Sequence, residues 1–354
     1  MDEYAGSLNP RENKILFGQK EAEQILVEAS NGGRLHHSLL LSGPKGIGKA
    51  TLAFRFTRHL LKPNEEEGLF GPMEPPKSFD MSENDPIFRQ IAGGSHPSLK
   101  VLERRKNPET GKIPRDISVS DIRGLSEFYR MTSAEGNWRI AIIDAADDMN
   151  HNAANALLKI LEEPPERSVI ILISHAPGRL LPTIISRCYK VPLKALNEED
   201  LSDALGFQGL YPNNNDLPLL LSLSEGSVGI AAKILQIDGL ELYREVEKLV
   251  TTPWTGLNKE IDKFVDRLTK NGQDEVYELF VNFFERALSQ RVLAAVRTGH
   301  APTPGGELDR WLEVWEKVRT LFAQAKGLGL DRKHTILNAF LHVSETIQQG
   351  PSAR

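Results

Sequence analysis

The chain has little cysteine, no excess of positive charge and no long apolar run, and each absence excludes a class of protein. A single cysteine, Cys188, among 354 residues rules out a disulfide framework and any four-cysteine zinc site, so a reducing compartment is expected. No apolar stretch approaches the roughly 20 residues that span a bilayer. The opening Met1-Asp-Glu-Tyr-Ala-Gly6 is acidic and lacks the charged-then-apolar layout of a signal peptide. A cytoplasmic chain without a membrane partner is the expectation. Lys and Arg number 43 against 48 Asp and Glu, a net charge of −5. That balance argues against a chain-wide trap for polyanions and leaves room for a local basic patch. No repeat of fixed period and no long low-complexity tract is present.

What is there is organised around Leu39-Leu-Leu-Ser-Gly-Pro-Lys-Gly-Ile-Gly-Lys-Ala-Thr51. Three leucines predict a short buried strand, a Gly/Pro-rich turn follows, and Lys49 opens a helix running to Leu61. The spacing of Gly43, Gly46 and Gly48-Lys49 is that of a phosphate-binding loop, whose backbone N–H groups, helix dipole and lysine all favour anions. Ala50 stands where a Ser or Thr hydroxyl normally holds Mg²⁺. Thr51 comes one place late, and a helix turns about 100° per residue. Gly43, Gly46, Gly48, Lys49, Ala50, Thr51 and a later acid, Asp144, therefore form a degenerate nucleotide site.

Strand and helix signals alternate around this loop. A helix is expected over 20–31, stopped by Gly32-Gly33. His36-His37 precede the first strand and point to opposite faces, which favours packing or capping over a shared metal. Residues 62–95, with Pro63, Glu65-Glu66-Glu67, Pro72 and Pro75-Pro76, read as an exposed insertion or loop. Ser98–Leu102 alternates like a strand. Arg104, Arg105, Lys106, Lys112 and Arg115 make a basic loop, solvated in the commoner case and a nucleic-acid contact in the rarer one. A helix over 117–132, a strand over 138–144, a helix from about Asn152 to Glu163 closed by Pro164-Pro165, a strand over 168–174, a short helix over 180–186 and a strand over 188–191 follow. Nearly continuous apolar strands separated by helices indicate a parallel sheet with helices on both faces.

After about Lys194 only helices are expected. A small helical module reaches about residue 240, and amphipathic helices lie near 256–270, 273–298, 306–326 and 331–348. Stripes such as Val276, Leu279, Phe280, Phe283, Phe284, Ala287 and Leu288 read as core.

Two further motifs stand in register with the phosphate loop. Ile140-Ala-Ile-Ile-Asp144 ends an apolar strand in an acid suited to Mg²⁺, and Ile184-Ile-Ser186-Arg187-Cys188 places an arginine just before the last strand. Together with Ala153-Ala-Asn-Ala-Leu-Leu-Lys-Ile-Leu-Glu-Glu-Pro-Pro165, these segments resemble the bacterial clamp-loader family of AAA+ proteins. The resemblance covers about residues 15–240 by motif and the remainder by layout only.

The resemblance implies an α/β AAA+ domain over 1–194, with 62–116 as an insertion lacking the zinc module some members carry. A helical lid over 195–240 and a helical ring-assembly domain over 241–354 would follow. It implies a subunit of a DNA polymerase III holoenzyme, in a five-membered ring with ATPase subunits and a delta subunit. Such a ring opens a sliding clamp and places it on primer-template DNA. Family ATPases carry a glutamate directly after the strand's acid, where this chain has Ala145. They also carry a lid arginine in a Gly-Ser-x-Arg pattern, where Gly226-Ser-Val-Gly229 ends in glycine. With Ala50, three catalytic elements are missing. No cofactor is then required, although ATP or ADP could be held without hydrolysis, and Arg187 would match the arginine that acts on a neighbour's nucleotide. Two rival readings remain: a working P-loop ATPase or kinase using Thr51 or Asp147 as substitutes, and a DNA-binding module acting through Arg104–Arg115.

Overall fold

The computed structural model describes residues 9–62, 77–104, 113–130, 138–251, 259–270, 272–297 and 306–348. The chain divides into two compact units, 1–233 and 234–354. Among the described residues the first unit holds α1 (Lys20–Asn31), β1 (Ser38–Ser42), α2 (Lys49–Leu61), α3 (Pro86–Ala92), β2 (Leu99–Glu103) and α4 (Val119–Arg130). It continues with β3 (Arg139–Asp144), α5 (His151–Glu162), β4 (Ser168–Ser174), α6 (Pro182–Ile185), β5 (Tyr189–Pro192), α7 (Glu198–Phe207) and α8 (Leu217–Ser224). The division between the units falls inside α9 (Val228–Gln236).

The strands form one parallel sheet in the order β2-β3-β4-β1-β5. Every residue of β4 is buried, as are Leu39, Leu40 and Leu41 of β1. Strands covered on both faces can be apolar throughout, which is why they read as runs and not as alternations. The register sets Ser42 level with Ser174 and Asp144 level with Ile173. The phosphate loop, the acid of β3 and the end of β4 therefore open at one edge of the sheet, where parallel sheets bind ligands.

Helix ends follow their residues. The Asn150 side chain accepts from the Ala153 N–H at 2.9 Å to start α5, and its Leu157 and Leu161 pack into the core under the sheet with Leu125 and Ile122 of α4. One expectation fails here: the 62–95 loop contains α3. Asp85 caps it by accepting from the Ile87 N–H, Pro86 opens it, and Phe88 and Ile91 are buried. Seven residues are too few for a periodic signal, although the Asp-Pro start and Gly93-Gly94 stop were present. Residues 63–76 of that stretch lie outside the described residues. Of the basic loop, Arg104 pairs with Asp148 at 2.8 Å and donates to the Arg115 carbonyl, while Arg105, Lys106 and Lys112 lie outside them.

The second unit is helical among its described residues: α10 (Gly239–Thr251), α11 (Lys259–Thr269), α12 (Asp274–Arg297), α13 (Glu307–Leu328) and α14 (Arg332–Gln348). Its core is aromatic. Phe280 and Phe284 of α12 meet Phe340 of α14 at ring-centroid distances of 6.1 and 5.3 Å, and Phe322 of α13 at 6.2 and 6.0 Å.

Burial lowers the pKa of His37, His59 and His96. His59 lies against Phe56 and Phe79 at 6.3 and 4.8 Å. A histidine depressed in the folded state binds fewer protons there than in the unfolded chain, so stability rises with pH across the interval below about 6.5. The urea midpoint of the first unit should therefore fall between pH 7.5 and 5.5, and His59→Gln should flatten that slope. A midpoint unchanged over the interval would contradict the burial of these rings.

Candidate nucleotide site and arginine edge

The phosphate loop is packed closely by its own chain. Gly43, Gly46 and Gly48 have φ of 147°, 78° and 100°, and a Cβ on Gly46 would stand 2.3 Å from Ser227 Oγ. Gly43 has equally little room, with the Leu193 carbonyl oxygen 2.5 Å from where its Cβ would be. The start of α9 thus docks on the loop, and the Gly229 N–H donates to the Gly46 carbonyl at 3.1 Å. From the other side, Gln19 donates to the Ile47 and Lys194 carbonyls at 3.2 and 2.7 Å, and its own carbonyl accepts from the Lys194 N–H.

Lys49 is 3% exposed, and its ammonium donates to the carbonyls of Gly43, at 2.7 Å, and Pro44. Burial lowers its pKa to about 8, against the opposing pull of Asp144 and Asp147. Ala50 and the buried Thr51 follow it in α2. At the end of β3, Ala145 is buried. Asp147 is engaged at the end of β4: it accepts from Ser174 Oγ at 2.8 Å and from the His175 and Ala176 N–H groups at 2.5 and 3.3 Å. These donors tie the acid to the turn after β4, a role that its sequence position did not disclose.

Arg187 lies at the other end of the sheet. Tyr189 is level with Leu39 of β1 in a parallel pairing, so Gly43 is four residues, about 13 Å, further along the strand direction, and Arg187 precedes Tyr189. The Ser-Arg-Cys triplet has a local logic. Ser186 Oγ and Arg187 Nη1 both donate to the Thr183 carbonyl at 3.1 Å, and Cys188 turns into the core, where burial pushes its thiol up to about 11. Arg187 Nη2 pairs with Glu162 Oε1 at 2.8 Å, the arginine side chain being 37% exposed. Glu162, which closes α5, was not singled out by the sequence. Its adjacency to Arg187 depends on how α5 and α6 are folded together.

A parallel sheet with the phosphate-loop strand β1 between β4 and β5, an acid ending β3 and β4 intervening defines a P-loop protein of the AAA+ type. The chain belongs to the family described as "DNA polymerase III, delta subunit", whose profile matches residues 18–197. It is similar to the DNA polymerase III subunit delta' of Pseudomonas aeruginosa, 38% identical over 202 residues covering 55% of each chain. It is also similar to the subunit delta' of Bacillus subtilis, 32% identical over 208 residues covering 58% of this chain and 54% of the relative. The matches thus span about half the length of these relatives. Among solved structures, a DNA polymerase III gamma subunit-related protein of Thermotoga maritima aligns at a TM-score of 0.46 and 20% identity, over 93% of this chain and 99% of its own.

Proposed function

We propose that this chain is a delta-prime-type subunit of a bacterial clamp loader, does not hydrolyse ATP itself, and presents Arg187 to the nucleotide of a neighbouring subunit. The observation that carries the reading is the position of Arg187, across the sheet from the chain's own phosphate loop. The partners on this reading are the ATPase subunits and delta of a hetero-pentameric ring. The ring acts on the sliding clamp and primer-template DNA during replication, and the helices of the second unit supply assembly.

The chain's own loop fits hydrolysis poorly. Lys49 is turned onto carbonyls of its own loop, no hydroxyl follows it, and Ala145 and Gly229 lack the groups that would activate water and neutralise charge. Nucleotide bound there would be held by backbone N–H groups and a lysine drawn off those carbonyls, without turnover. Asp147 is a weak substitute because its oxygens are occupied by three donors.

The isolated chain should show no ATP hydrolysis above background. Each missing group is typically worth a factor of ~10² or more, and the losses compound without being additive. Turnover near ~1 s⁻¹ that disappears in Lys49→Ala would instead establish a working P-loop enzyme.

A further inference from the structure

We propose that Glu162 is the positioning residue for Arg187, and that it thereby sets the rate of hydrolysis at the neighbouring site. The proposal rests on the reading of Arg187 as a residue acting in trans. An arginine on an exposed turn has a long, mobile side chain, and a transition state is served only by a guanidinium already in place. Two contacts fix this one. The Thr183 carbonyl accepts from Nη1 at 3.1 Å, and Glu162 Oε1 holds Nη2 at 2.8 Å. A guanidinium has five N–H donors, so the contacts hold its two terminal nitrogens while leaving donors for a phosphoryl oxygen.

Glu162 is itself well placed to act as an anchor. It ends α5, where the last carbonyls of a helix have no partner within the helix. One of them, that of Leu161, accepts from His37 Nε2 at 3.1 Å. His37 directly precedes β1, and Asn150 and the Pro164-Pro165 pair bound α5 at its two ends. The residue before β1 thus holds the last turn of α5, and that turn in turn holds the Arg187 guanidinium through Glu162. An ordinary surface ion pair would contribute little to stability; this one acts through orientation.

The test uses the complete clamp-loader complex, assembled from this chain and its own partner subunits, with ATPase measured against ATP concentration on clamp and primed DNA. Glu162→Ala should lower kcat at the site Arg187 faces by about tenfold, with KM unchanged, since a misplacement of about 1 Å can cost up to 10²-fold. Glu162→Gln, which keeps an acceptor oxygen, should recover most of that loss. The double variant Glu162→Ala/Arg187→Ala should be no slower than Arg187→Ala alone. The unfolding midpoint of the Glu162 variants should stay that of the parent chain. If Glu162→Ala keeps full kcat while Arg187→Ala does not, Glu162 does not position the arginine and the trans role stands. A faster Glu162→Ala, additive losses in the double variant, or Gln no better than Ala would also overturn the proposal. Full activity in both single variants would remove the trans role of Arg187, and this inference with it.

Discussion

Arg187→Ala, assembled with its partner subunits, should lose about 10³-fold or more of hydrolysis at the one ATP site that the arginine faces, with fold and assembly unchanged. The guanidinium is planar and permanently charged and offers its donors as a fork, which suits phosphoryl oxygens as charge develops on them. In the proposed ring a single interface would meet this edge of the chain, so total ATPase should fall by that site's share while clamp loading falls further. Arg187→Lys should not restore the rate, because an ammonium is a point charge without the fork. The substitution should cost little stability, since the arginine's ion pair is with the half-exposed Glu162 and pairs of that kind contribute little. ATPase and clamp-loading rates of complexes carrying Arg187, Ala and Lys decide the matter. Undiminished loading by the Ala complex would remove the main mechanistic role assigned to the chain.

The second large effect is on stability. Phe280 is fully buried and meets Phe264, Phe284, Phe322 and Phe340 at centroid distances between 5.6 and 6.2 Å. Truncation to alanine removes the ring and leaves a cavity, at a cost of about 3–5 kcal/mol. Phe280→Leu, which keeps more of the volume, should cost less. Denaturant unfolding of the second unit, followed by near-ultraviolet signals and hydrogen exchange, would give the difference. A loss under ~1 kcal/mol would mean that the aromatic cluster is not the core of this unit. If the second unit supplies assembly, Phe280→Ala should also weaken incorporation into the complex, whereas Arg187→Ala should not.

Much of the first unit was legible because its signals are local. The bounds of α1, α2 and β4 follow from periodicity and from Gly32-Gly33, Gly48 and the Ser168–Ser174 run. Helix α3 was missed because seven residues carry too little period, and its capping pair sits in a proline-rich stretch. The start of β5 also moved by one residue, to Tyr189–Pro192, because Cys188 still belongs to the turn after α6, where its N–H donates to the Ile185 carbonyl. The candidate site was legible as a set of chemical groups and not as geometry. Nothing near Asp147 announces that the end of β4, 27 residues away, will take up its carboxylate.

The sequence alone determined which catalytic groups exist. Ala50, Ala145 and Gly229 cannot supply a hydroxyl, a carboxylate or a guanidinium in any fold, so their absence needs no coordinates. It also determined the apolar runs that must be buried, and hence a covered parallel sheet. Only the tertiary structure decided where the remaining groups point: Lys49 onto its own loop, Arg187 to the far end of the sheet, and Glu162 beside it. The physical reason is range. Helix and strand periods are set by neighbours within a few residues, whereas the Glu162–Arg187 contact spans 25 positions of chain and depends on strand order and the packing of α5 and α6, which no local pattern encodes.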